Sequence, residues 1–131
     1  MRRNSPKTRK VLDGAREFRR SLVTEVGECE VCGHSPRYPR PGMPRECSEL
    51  ACHEIACGAL RMQAIDKPYA ILVLCSLCNC EEMKDAKKWP QSRQLSVLKK
   101  SRPDHYDLKS FNYLVNPRAP NRITQEEVDQ W

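Results

Sequence analysis

A small α+β fold, held by a metal staple and flanked by helices at both ends, is what this 131-residue sequence predicts. Two Cys-x-x-Cys pairs, Cys29/Cys32 and Cys75/Cys78, are separated by 42 residues. A β-branched apolar run, Tyr69 to Leu74, leads straight into the second pair. On either side of this centre, apolar residues recur at helical spacing. A zinc ion takes four soft ligands in a tetrahedron, and two C-x-x-C turns supply them.

The length suits one domain with a modest core. Aromatics make up only 6% of the chain. Zinc would compensate, because its binding adds folding free energy directly. Eight cysteines are present, at 29, 32, 47, 52, 57, 75, 78 and 80. The chain opens Met1-Arg2-Arg3-Asn4-Ser5-Pro6 without an apolar leader. Its longest apolar run, Ala70 to Cys75, is too short to span a membrane. A cytoplasmic, reducing compartment is therefore expected, and there C-x-x-C pairs are metal sites more often than disulfides. Net charge is +6. Residues 1–20 hold eight basic and two acidic residues, so the excess resides in that segment. A basic terminal segment is a common electrostatic footprint of nucleic-acid binding.

The elements follow in order. Residues 1–8 read as a basic, disordered arm. From Arg9 to Val26, Val11, Ala15, Phe18 and Leu22 share one helix face, while Arg9, Arg16 and Arg20 fall on another. Gly27 ends the helix. Gly33 lets the backbone turn tightly after the first cysteine pair. Residues 35–46 contain four prolines and form a loop. Glu49 to Ala56 and Tyr69 to Leu74 read as strands joined by a connection at 57–68. After Cys78 the pattern is helical, with Met83, Ala86 and Trp89 in step and Pro90 as the stop. Pro90 then opens a helix through Leu95 and Leu98 to Lys100. Leu108, Phe111 and Leu114 mark another short helix, and Thr124 to Glu127 spells a capping box before a last turn. Trp89, Trp131 and Phe111 are expected as core anchors, and His34 and His105 as ordinary loop residues. The organisation is thus a basic arm and amphipathic helix at 1–26, a zinc-stapled core at 27–90 and a helical extension at 91–131.

Cys29, Cys32, Cys75 and Cys78 are the expected structural zinc ligands. The other four cysteines are available as substitutes or as small buried hydrophobes. The run Cys29-x2-Cys32-Gly33, then His53-Glu54-Ile55, then Leu72-Val73-Leu74-Cys75-x2-Cys78-Asn79, resembles HNH endonucleases over about residues 29–89. The resemblance implies a ββα-metal core, two strands and a helix around one catalytic divalent ion, stapled by zinc knuckles. It also implies phosphodiester hydrolysis assisted by magnesium, manganese or a similar ion. A histidine on the first strand deprotonates water, and the ion stabilises charge on phosphate and leaving oxygen.

His53 is the candidate from the first strand. Asn79 stands where the family carries a metal-binding His or Asn, and it can also cap the helix that follows. Two departures stand out. The family shows a metal ligand and then the base, whereas here Cys52, a soft thiol, precedes His53. If the register moves by one, His53 becomes the ligand and Glu54 the base. The family's middle asparagine, which orients the histidine, is missing between Asp66 and Ile71. A backbone carbonyl or Asp66 is left for that role.

The resemblance implies DNA as the partner, with no membrane involved. Arg2, Arg3, Arg9, Arg16, Arg20, Arg37, Arg40, Lys84, Lys87 and Lys88 are the expected phosphate contacts. The rival reading is a non-catalytic zinc module that binds nucleic acid or protein. A thiol redox protein would use the same pairs.

Overall fold

The computed structural model describes residues 5–36, 49–56 and 61–131. Helix α1 spans Pro6–Val26 and buries Ala15 and Leu22, with Phe18 half-buried beside them. It starts earlier than its apolar stripe suggested, so residues 6–8 are helix rather than arm. Proline is suited to a first helical turn because its missing N–H is unpaired there anyway. Gly27 ends the helix at φ +70°, a left-handed conformation that glycine adopts without a Cβ clash. Its N–H donates to the Val23 carbonyl at 2.9 Å.

Strands β1 (Leu50–Glu54) and β2 (Ile71–Cys75) form an antiparallel pair, in register from Leu50↔Cys75 to Glu54↔Ile71. Two short elements lie between them. They are α2 (Arg61–Ala64), where only a connection was expected, and a 3-10 turn at Pro68–Ala70. Tyr69 and Ala70 are therefore not strand. Pro68 has the fixed φ that suits the first position of a helical turn, and strand begins only at Ile71.

All five residues of β2 are buried, because both faces of the hairpin are covered. Side chains alternate across a strand. Ile71 and Val73 pack with Cys52 and Leu22 beneath α1. Leu72, Leu74 and Cys75 join Leu95, Leu98, Phe111 and Val128 in the larger cluster. Those last four come from α3 (Gln91–Ser101), α4 (Leu108–Val115) and α5 (Gln125–Asp129). Asp107 caps α4, and Thr124 with Glu127 forms the expected capping box on α5. Phe111 and Trp89 are buried. Trp131 is 41% exposed and donates from Nε1 to Ser92 Oγ at 3.1 Å, so it lies at the surface rather than in the core.

The segment after Cys78 departs from the expected helix. A π-helical turn at Cys78–Glu82 gives way to turns before Trp89. Asp85 causes the break. Its Oδ1 accepts from the backbone N–H groups of Lys87 and Lys88 at 3.0 and 3.2 Å, diverting them from helical bonding.

A buried ionic clamp closes the free edge of β2. The Glu30 and Arg102 side chains are only 1% and 9% exposed, and Arg102 Nη2 donates to Glu30 Oε1 at 3.0 Å. Glu30 also accepts from the Val73 N–H at 2.8 Å, and its own N–H donates to the Val73 carbonyl at 2.9 Å. Arg102 donates further to the Pro68 carbonyl at 3.3 Å, to the Ile71 carbonyl and to His105 Nδ1 at 2.9 Å. Edge groups of a strand need partners when buried, and here the first cysteine turn and the end of α3 supply them. Among the described residues, no helix is long and apolar enough to cross a membrane.

Candidate metal centre and adjoining cavity

Two cysteine turns meet at the C-terminal end of β2. Gly33 makes the first turn possible at φ +73°, and its N–H donates to the Cys29 carbonyl at 2.8 Å. The second turn grows directly out of the strand. Cys29, Cys32, Cys75 and Cys78 converge, with all four sulfurs within 4.8 Å of one another. This group can hold a metal ion. Burial pushes the Cys32 thiol up to about 11, against the pull of the His34 backbone N–H, and neighbouring Cys29 adds to the rise. Burial and the adjacent Cys29 also push Cys78 up. Burial raises Cys75 too, but hydrogen bonds from the Cys78 backbone and from neighbouring thiols outweigh it and leave Cys75 lowered. One thiolate among crowded thiols is the electrostatic pattern of a cation site, since a bound cation would relieve the crowding of the rest.

His34 lies beside this cluster and corrects the loop reading given to it. It is 1% exposed, with neither ring nitrogen hydrogen-bonded among the described residues. Its carbonyl accepts from the Cys29 N–H at 2.7 Å. Cys80 is exposed and Cys52 is buried. Cys47 and Cys57 lie outside the described residues.

Strand alternation sorts the Cys52-His53-Glu54 triplet. Cys52 and Glu54 face α1, where Arg19 engages both. Its Nη1 donates to Glu54 Oε1 at 2.6 Å and its Nη2 to the Cys52 carbonyl at 2.9 Å. The Cys52 thiol donates to the Arg19 carbonyl at 3.6 Å. Burial raises the thiol's pKa against the opposing pull of Arg19. His53 takes the other face. Its Nδ1 is 3.1 Å from Asn79 Oδ1, and its Nε2 is 3.0 Å from Gln94 Oε1.

His53, Asn79 and Gln94 share the wall of a cavity of ≈ 750 Å³, together with Met83, Lys84 and Trp89. Asp66 takes no part in orienting His53. It is largely exposed and pairs with Lys67 at 3.4 Å. Gln94, on α3, occupies that position instead. Sequence reasoning gave no sign of it, because a glutamine between Arg93 and Leu95 reads as ordinary helix surface.

The cationic residues divide in their surroundings. Arg9, Arg16 and Arg20 are exposed on α1, and Lys84 and Lys87 are exposed after the π-helical turn. Lys88 pairs with Glu82 at 2.8 Å. Arg93, not singled out from sequence, stacks its guanidinium 3.8 Å from the centre of the Trp89 ring. Arg2, Arg3, Arg37 and Arg40 lie outside the described residues, as do the side chains of Val11 and Arg61. No family model, curated protein or solved structure matches the chain.

Proposed function

We propose that this chain is a metal-dependent endonuclease that hydrolyses phosphodiester bonds in DNA, built on an HNH-like core stapled by structural zinc. One observation carries the reading. His53 and Asn79, singled out from sequence as a pair, meet at 3.1 Å in the wall of one cavity beside the cysteine cluster.

Zinc fits the four thiols. Zn–S bonds of about 2.3 Å set tetrahedral sulfurs about 3.8 Å apart. The Cys32 and Cys75 sulfurs are 3.7 Å apart. Cys29, Cys32, Cys75 and Cys78 would hold the ion and lock both turns to the end of β2.

The cavity suits a second, harder ion. Asn79 offers an amide oxygen, a donor matched to magnesium or manganese. The soft Cys52 thiol, which looked ill-placed beside His53, is turned toward α1. A divalent cation at Asn79 would supply charge stabilisation for the phosphate and the leaving oxygen.

His53 acts as the general base, taking a proton from the attacking water on Nδ1. Glu54 is less suited, because its carboxylate is held by Arg19 on the far side of the strand. Lys84 lines the same cavity and is placed to bind phosphate. Arg9, Arg16 and Arg20 extend a basic surface along α1, giving affinity without sequence information.

The test is plasmid nicking with magnesium, manganese or nickel, comparing wild type with His53→Ala and Asn79→Ala at equal zinc content. Loss of His53 should lower the rate at least about 100-fold, the lower end for a positioned base. Salt-sensitive DNA binding without cleavage by any ion would replace the endonuclease by a non-catalytic zinc module.

A further inference from the structure

Gln94 is deeply built into the cavity wall. It is 7% exposed, and its Nε2 donates to the Trp89 carbonyl at 2.9 Å. A backbone carbonyl only accepts hydrogen bonds, so the amide nitrogen must face Trp89 and the amide oxygen must face His53. That oxygen likewise only accepts. His53 Nε2, 3.0 Å away, must therefore carry its proton. In a neutral imidazole the lone pair then lies on Nδ1, the nitrogen facing Asn79 at 3.1 Å. The anchor is itself fixed. The Trp89 N–H donates to the Asp85 carbonyl at 2.9 Å, its Nε1 donates to Glu82 at 3.2 Å, and its ring lies against Arg93.

We propose that Gln94 is a positioning residue that holds His53 as the Nε2–H tautomer and so presents the Nδ1 lone pair to the reacting water. The role in hydrolysis rests on the endonuclease reading; the tautomer does not. In the step, one proton passes from water to Nδ1, and the ring becomes imidazolium while Nε2–H stays on Gln94. The oxygen of that water forms a bond to phosphorus. The phosphorus–oxygen bond to the leaving alkoxide breaks, and the alkoxide takes a proton from solvent.

The experiment uses the full chain, zinc-loaded and 15N-labelled, without DNA or any added divalent cation. Long-range proton–nitrogen spectra report the tautomer of each of its three histidines. The His53 signals are identified by their loss in His53→Ala. Wild type is expected to show a protonated Nε2 and a bare Nδ1. Gln94→Leu keeps the size but removes the acceptor. It should mix the tautomers and lower kcat, with KM little changed, by roughly 10- to 100-fold, the usual cost of losing an orienting partner.

Gln94→Glu keeps an acceptor in place and should restore the Nε2–H tautomer. Its negative charge favours imidazolium, so the acid limb of kcat should move to higher pH. Should Gln94→Leu lose its zinc or its fold, this shift in Gln94→Glu decides. A protonated Nδ1 in wild type, an unchanged tautomer in folded Gln94→Leu, or an unmoved acid limb in Gln94→Glu would overturn the proposal. If the tautomers behave as expected and no cation supports cleavage, Gln94 keeps its positioning role and the endonuclease reading falls.

Discussion

Replacing Arg102 by methionine would strip a deeply buried carboxylate of its partner. Glu30 is 1% exposed at its side chain and Arg102 is 9% exposed. Without the guanidinium, Glu30 keeps only the Val73 N–H and the Ser101 hydroxyl. The carbonyls of Pro68 and Ile71 and the Nδ1 of His105 lose a donor as well. Removing one member of a buried pair costs about 3–5 kcal/mol, because the remaining charge stays out of water uncompensated. That is a large part of the roughly 5–15 kcal/mol that holds a small domain together.

Urea denaturation of the zinc-loaded protein would measure the loss. With a slope of about 2 kcal/mol/M, a 4 kcal/mol loss lowers the midpoint by about 2 M. The double variant Glu30→Gln, Arg102→Met should recover part of the loss, because a neutral amide can still accept from Val73 at little desolvation cost. A single Arg102→Met variant that loses less than about 1 kcal/mol, or a double variant whose losses simply add, would refute the clamp as a coupled buried pair.

Two further outcomes are expected. Wild type should bind one zinc per chain, and Cys29→Ser or Cys78→Ser should lose it together with cooperative thermal unfolding; metal analysis and calorimetry check both. Asp107→Ala should cost about 1 kcal/mol at pH 7, since its carboxylate caps α4 through the Ser110 N–H and hydroxyl. Those same bonds to Ser110 hold its pKa below the ordinary 3.8. A depressed carboxylate stabilises the fold above its unfolded pKa and ceases to do so as pH falls through the folded value. The gap between wild type and variant should therefore close below about pH 3.8, and paired urea titrations at pH 7 and pH 3 would show it.

Features written in local chemistry were legible in the chain. Gly27 stops α1, Thr124 and Glu127 cap α5, and Ile71 to Cys75 form the buried strand, because each depends on neighbours a few residues away. The cysteine pairs belong here too, since each C-x-x-C turn carries its own geometry. Asp85 was also readable, as a residue that competes with helix bonding, but the step of Met83, Ala86 and Trp89 outweighed it in sequence. The site's supporting residues were not legible. Gln94 meets His53 across 41 residues, Arg19 meets Glu54 across 35, and Arg102 meets Glu30 across 72. Each sits in or beside a helix as an ordinary polar residue, with no spacing rule to mark it. The sequence alone determined which residues turn, cap and alternate, because those choices are made by backbone sterics and nearest neighbours. Tertiary structure decided which polar side chains would be buried together, because only the packing of helices on both faces of the hairpin removes their water and obliges them to pair.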